Sequence, residues 1–392
     1  MAPAPGPGHR LPPDEFRAAW IATVDNIDFP SRPGLSPGQL RREIDAIVAR
    51  AVELRLNALI FQIRPAADAF YQSPLEPWSE WLTGTQGKPP GENFDPLRYI
   101  ISRSHRYGLH LHAWFNPFRC WHTASKSKPD KKHVTVRGKD LVVTYGKQAW
   151  MDPGHATARK WSLAVIQDVV RRYDIDGVHL DDYFYPYPQG KRSFPDDATY
   201  KAYRDGGGKL DRGDWRRSNI DGFVKDLYEL VHADKPWVWV GISPFGIARP
   251  GVPRGIEAGL DQYAGLYADV PKWLRNGWLD YLAPQLYWPI DRKQQDFEVL
   301  LDYWHEQNVK GRAIWPGLYT SKIRDGGGQI RATELRDEIR LTRRKDAVMP
   351  GHIHFSFKAL RGDHVLVGRQ LLREVYTATA AVPVLPWLPK RR

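Results

Sequence analysis

The sequence predicts an α/β fold: one (β/α)8 TIM barrel with a parallel eight-stranded core and long βα loops. Three observations lead there. Eight short apolar runs alternate with eight longer amphipathic segments, and strict alternation implies a parallel sheet with right-handed crossovers that closes at eight units. The first run is followed by VDNIDFPSRPG, without the G-x-G-x-x-G turn of a doubly wound nucleotide-binding sheet. Segments before the runs are short (LRLN, YGL, YDID), whereas those after the second and third, 64–94 and 116–154, are long and crowded with aromatics and proline. Loops that follow barrel strands all open on one face, so this asymmetry marks a functional face.

The candidate strands are RAAWIATV (17–24), NALIFQI (57–63), LHLHAWF (109–115), DGVHLDD (176–182), WVWVGIS (237–243), DYLAPQLYW (280–288), RAIWPGLY (312–319) and GHIHFSF (351–357). They are runs of apolar, β-branched or aromatic residues, which suit a pleated, buried surface. Helix-period segments cover 36–54, 95–108, 155–174, 215–233, 268–277, 292–308, 331–345 and 364–378. Ser36–Pro37 and Asp95–Pro96 read as an N-cap followed by proline at the first helical position. The GGG runs at 206–208 and 326–328 follow long loops and read as hinges. Residues 1–15 are expected to form a flexible Pro-rich N-terminus, 16–380 the catalytic barrel, and 381–392 a Pro-rich basic tail.

Of the 392 residues, 42% are hydrophobic and 26% charged, which excludes a wholly disordered chain or a fibre. The net charge is +12, yet the basic clusters (125–133, 340–345 and the terminal KRR) are short and the rest is scattered. That pattern reads as a solvated basic surface, and no nucleic-acid partner is expected. No run reaches the roughly 18 apolar residues that cross a bilayer, and the opening MAPAPGPGHRLPPDEF lacks a signal-peptide core. A soluble monomer is expected, its compartment open. Cys120 is the single cysteine, which leaves no intramolecular disulfide or multi-Cys zinc site.

The densest chemical signal is YDIDGVHLDDYFYPYP, 173–188. In a strand Val178 and Leu180 face one way and His179 and Asp181 the other. Asp181 and Asp182 fall where the strand ends, a costly place for carboxylates without a task; a structural ion pair or helix cap is the alternative. Asp176 enters from the opposite end and reads as capping or loop structure. Two carboxylates are the minimum equipment for glycoside hydrolysis. Asp181 is the first choice, and its partner is open between Asp182, which alternation turns away unless the strand has ended, and Asp269, Asp261 or Glu257 farther along. Asp269 equally suits the cap of ADVPKWL.

Aromatic rings at strand ends, Trp114, Tyr183, Tyr185, Tyr287, Trp288 and Tyr319, suit the C–H faces of sugars. Beside them Gln62, Arg64, His112, Asn116, Arg119, His179, Ser243 and Gln285 offer hydrogen bonds to hydroxyls or a ligand carboxylate. The pairs His110/His112 and His352/His354 share strand faces but are common in cores, so no metal or other cofactor is expected. A G-x-S-x-G elbow is absent, and Cys120 has no evident base. The rival readings are a non-catalytic glycan-binding barrel and a metal-dependent polysaccharide deacetylase.

These stretches, together with RAAWIATVDNIDFPS, FQIRPAADAFYQSPLEPWSEWLTGTQGKPPG, GLHLHAWFNPFR, WRRSNIDGFV, GISPFGI, LYADVPKWLRNGWLDYLAPQLYW and WPGLY, resemble the bacterial glycosyl-hydrolase-like family ten, formerly domain of unknown function 187. The likeness spans roughly 16–320. It implies a (β/α)8 barrel that is secreted or envelope-bound and cleaves glycosidic bonds in peptidoglycan strands lacking peptide stems. It places Asp181 and Asp182 at the catalytic strand end and Asn116, Arg119, Gln285, Tyr287 and Trp288 along the cleft. Phe29, Ala66 and Phe118 stand where that family leads one to expect Trp, Gly and Tyr, which bears on subsite shape.

Overall fold

The computed structural model describes residues 14–91, 93–324, 333–361 and 366–391. Most of the expected N-terminal segment, 1–13, and the GGG run at 326–328 lie outside the described residues. The strands are β1 (Phe16–Ile21), β2 (Ala58–Arg64), β3 (His110–Phe115), β4 (Arg119–Trp121), β5 (Val142–Tyr145), β6 (Gln148–Met151), β7 (Gly177–Leu180), β8 (Trp239–Ile242), β9 (Tyr281–Leu282), β10 (Ala313–Ile314), β11 (Gly317–Leu318) and β12 (Gly351–His354).

The main parallel sheet runs β10-β9-β8-β7-β3-β2-β1-β12-β11. Its two ends, β10 and β11, are halves of one segment separated by Trp315 and Pro316. On one side the Trp315 N–H donates to the Leu282 carbonyl (2.8 Å), and on the other the Ile353 N–H donates to the Pro316 carbonyl (3.0 Å). The ring therefore closes as an eight-stranded (β/α)8 barrel. The sixth and seventh expected strands are shorter than the apolar runs that predict them, because Pro284 and Pro316 have no N–H to give the ladder. Strands β4, β5 and β6 form a separate antiparallel sheet in the long loop after β3.

Each expected helix forms, the first over Pro37–Glu53 with a reciprocal Ser36–Gln39 capping box and the second over Pro96–Arg106 with Asp95 accepting from the Arg98 N–H. The buried face of the first, Leu40, Ile44, Ile47, Val48 and Ala51, belongs to the same apolar core as Leu59 and Phe61 of β2.

Inward side chains fill the barrel in layers. Phe16 stacks on Trp315 with ring centres 4.1 Å apart. Above them Tyr281 lies across the axis, which Gly241 permits: a Cβ there would sit 1.9 Å from the Tyr281 ring. Gly177 likewise leaves room for the His112 ring, 2.7 Å from where its Cβ would be. Its role is to leave interior space for that ring.

The expected tail is a structural part of the barrel. Leu385 is buried in the interior cluster with Phe16, Trp239 and Trp315. Trp387 Nε1 donates to Asp280 (2.8 Å) and Arg391 to Asp176 (2.9 Å). The apolar character of VPVLPWL, rather than its prolines, decides this: the segment closes the end of the barrel where the strands begin. Leu385→Ala should cost about 2–5 kcal/mol, read as a lower urea midpoint, and an unchanged midpoint would show that the segment is no part of the core.

Candidate active site

Strand β7 ends at Leu180, so alternation no longer governs the next two residues. Asp181 and Asp182 consequently both line one cavity of about 240 Å³ at the mouth of the barrel, while remaining only 6% and 4% exposed. Neighbouring strand ends supply the walls: Trp20 from β1 and Ala22 after it, Gln62 from β2, Trp114 from β3, Ser243 after β8, and Gln285 and Tyr287 after β9. Phe355 follows β12, and Arg119, His122, Tyr183, Tyr187, Val24 and Ile27 come from loops and β4.

Asp181 Oδ2 accepts from Trp114 Nε1 (3.2 Å) and from Asn116 Nδ2, and Oδ1 accepts from the Tyr183 N–H (3.1 Å). The orientation of Asn116 is dictated in turn. Gln62 Oε1 accepts the Thr23 and Val24 N–H groups (2.8 and 2.9 Å), so the Gln62 amide nitrogen donates to Asn116 Oδ1 (2.6 Å). Arg119 donates to the same oxygen (3.0 Å). Asn116 Nδ2 is thereby left to donate to the carboxylate. Asp182 accepts from the Tyr187 hydroxyl and from the Gln285 side chain.

Burial raises both carboxyl groups above the usual range. For Asp181 the nearby Arg119 charge, the Tyr183 N–H, Asn116 and Trp114 oppose that rise. Asp182 is pushed up to about 7, first by burial and then by the negative charge of Asp181. At neutral pH the pair thus shares its charge unequally, with Asp181 the ionised member and Asp182 the proton holder.

Beneath the cavity a hydrogen-bonded column descends the barrel. Trp20 Nε1 lies 3.0 Å from His179 Nε2, His179 Nδ1 is 2.9 Å from the Tyr281 hydroxyl, and that hydroxyl is 2.9 Å from His112 Nδ1. Because an indole N–H only donates, His179 carries its proton on Nδ1, and Tyr281 donates to His112. Burial lowers His112 to about 3 and His179 well below its ordinary value, so both are neutral.

The expected site residues divide accordingly. Asp181, Asp182, Gln62, Trp114, Arg119, Tyr183, Ser243, Gln285 and Tyr287 line the cavity, and Asn116 touches it through Asp181. The others are placed elsewhere. Asp269 caps the helix Val270–Asn276, accepting from the Lys272 N–H, and Asp261 caps Gln262–Gly265. Arg64 is buried against Glu76 (2.8 Å) and the Asn116 carbonyl, anchoring loops. His112 and His179 belong to the column. Tyr185 packs on Phe194 and Tyr267, and Trp288 meets Phe245 edge-on. Tyr319 stands 4.8 Å behind Tyr287, supporting that ring.

The sequence reading missed Trp20, His122, Tyr187 and Phe355. Trp20 reads as core inside an apolar strand, whereas Tyr187 lies in the same YFYPYP run as Tyr183. Among the described residues no cluster of three or more His, Cys, Asp or Glu is arranged to hold a metal ion. His352 and His354 instead both bond the Tyr376 hydroxyl.

Comparison with known proteins bears on this geometry. The family model described as Glycosyl hydrolase-like 10 matches residues 15–329. Glycosyl hydrolase YngK of Bacillus subtilis (strain 168) is 41% identical over 385 residues, covering 95% of this chain and 74% of that one. Glycosyl hydrolase DigH of Escherichia coli (strain K12) is 33% identical over 311 residues, 74% of this chain and 69% of the relative. Among solved structures, the PgaB (BpsB) glycoside hydrolase domain from Bordetella bronchiseptica matches with a TM-score of 0.58 at 14% identity, covering 93% of this chain and 99% of that one. At that identity the likeness speaks to the fold.

A carboxyl group whose folded pKa is raised keeps its proton where the unfolded chain has lost it, so it costs stability as pH rises from its unfolded value, ~4, toward the folded one. Asp182→Asn removes that cost. The variant should surpass the parent protein in urea midpoint at pH 8, with the gap closing toward pH 4; an equal gap at both pH values would show that Asp182 ionises normally.

Proposed function

The chain belongs to the glycosyl hydrolase-like 10 family and is a glycoside hydrolase; on that footing we propose that it cleaves glycosidic bonds in a polymeric amino-sugar glycan, namely peptidoglycan strands lacking peptide stems. The observation that carries this reading is the unequal pair of carboxyl groups inside an aromatic-walled cavity. Asp182, protonated near neutral pH, is the group to protonate the departing glycosidic oxygen. Asp181, ionised and held by three donors, faces the positive charge that grows at the anomeric carbon.

The walls support a sugar ligand. Trp20, Trp114, Tyr183, Tyr187, Tyr287 and Phe355 offer flat faces for C–H surfaces, and Gln285, Ser243 and Arg119 offer polar atoms for ring substituents. A hollow of about 240 Å³ at the barrel mouth can admit a sugar ring. The +12 net charge suits retention near anionic wall polymers.

Mass spectrometry of products from purified strands, with and without stems, tests the substrate. Short reducing fragments from the bare strands are expected, and faster release from the stem-bearing ones would contradict the assignment. Asp182→Asn should lower kcat by about 10²–10⁴-fold while the strands still bind. Turnover within a few-fold of the parent protein would remove Asp182 from the chemistry, and the absence of turnover in the parent protein would favour a glycan-binding barrel.

A further inference from the structure

A glycosidase needs, besides its proton donor, a group that meets the anomeric carbon as the leaving group departs. The two common arrangements set a second carboxylate across the scissile bond, about 5–5.5 Å from the acid for retention and ~6.5–9.5 Å for inversion. Here the two carboxylates come from consecutive residues on one strand end. The strand facing them is β12, four places from β7 in either direction around the closed ring. What that far wall presents to the cavity is Phe355, flanked by Trp20 of β1 and by Ala22 just after it. Among the described residues lining the cavity, Asp181 and Asp182 are the sole acids, and the acids expected from the loop after β8 cap helices or stay outside.

Asp181 is also tied to its own wall. Its oxygens accept from Trp114, Asn116 and the Tyr183 N–H, and Asn116 is locked through Gln62 to the backbone of Thr23 and Val24. Such a carboxylate is a fixed anion next to the acid, well suited to accept an amide N–H from the substrate and to offset a cation formed there.

We propose that the attacking group is the substrate's own 2-acetamido oxygen, that Asp181 orients that acetamido group through its N–H, and that Asp182 serves as acid and then base. This rests on the glycosidase reading above. The acetamido oxygen bonds to the anomeric carbon as the glycosidic C–O bond breaks, and the Asp182 proton passes to the leaving oxygen. The sugar is left as an oxazolinium ion whose positive charge faces the Asp181 carboxylate. A water then bonds to the anomeric carbon, gives a proton to Asp182, and the ring C–O bond breaks to restore the acetamido group. One water is consumed, and configuration is retained by two inversions. The site therefore requires an N-acetylated sugar on the non-reducing side of the cleaved bond.

The test uses bare peptidoglycan strands that are N-deacetylated and then re-acylated with acetyl, fluoroacetyl, difluoroacetyl or trifluoroacetyl groups. The expected result is loss of cleavage on deacetylation, recovery on re-acetylation, and a further fall in kcat/KM with each added fluorine as the carbonyl oxygen becomes a poorer nucleophile. Proton NMR should show the new reducing end with the configuration of the bond cleaved. Equal rates across the acyl series, cleavage of deacetylated strands at the parent rate, or an inverted product would each overturn the proposal. A glycosyl azide of inverted anomeric configuration formed by Asp181→Gly in azide would do so as well, since direct displacement by azide would make Asp181 itself the nucleophile, whereas azide opening the oxazolinium ion gives the retained configuration. Failure to cut even the unmodified bare strands would instead strike the proposed peptidoglycan substrate on which the proposal stands.

Discussion

Two carboxyl groups on consecutive residues of one dry cavity cannot both be ionised at neutral pH without a large electrostatic cost. The surroundings of Asp181 and Asp182 resolve that conflict by treating them differently. Asp181 receives three hydrogen-bond donors and the neighbouring Arg119 charge; Asp182 keeps a proton and leans on Tyr187 and Gln285. The difference is not local to β7. The relay from the Thr23 and Val24 N–H groups through Gln62 and Asn116 spans the ends of β1, β2, β3 and β7, so the register of four strands sets where one carboxylate sits and which state it holds.

The floor of the cavity obeys the same electrostatic restraint. His179, Tyr281 and His112 form a hydrogen-bonded column along the axis, and burial keeps both imidazoles neutral. The column therefore brings shape and stiffness under Trp20 and Ser243 without adding a positive charge that would pull both aspartates into their ionised form. Its presence depends on two glycines, 177 and 241, whose missing side chains vacate the space occupied by the His112 and Tyr281 rings. The closing C-terminal segment, with Leu385 in the interior cluster, seals the opposite end of the same packed axis.

The barrel was legible because its signal is periodic: each strand and helix announces itself by spacing, and the count of eight limits the topology. Two features escaped that reading for definite reasons. The split of the seventh strand into β10 and β11 follows from Pro316, and the fate of 381–391 turns on Leu385 and Trp387 finding an open barrel end, a tertiary fact with no periodicity. Within the site, residues that end a strand were readable as mouth residues, which is why Gln62, Trp114, Asp181, Ser243 and Gln285 converge. Depth was not readable. His112 and His179 face inward as alternation requires, but lie below the cavity, while Arg64, Tyr185, Trp288 and Tyr319 are turned into supporting contacts. Trp20 is the converse case, a residue that looks like core and forms a wall.

The unequal protonation of the aspartate pair can be observed without any substrate. Carboxyl ¹³C NMR of protein labelled at aspartate, titrated with pH and assigned with Asp181→Asn and Asp182→Asn, reports each group separately. Asp182 is expected to hold its proton to about pH 7, with Asp181 ionising below it. Two signals that titrate together near pH ~4, the ordinary aspartate value, would contradict it.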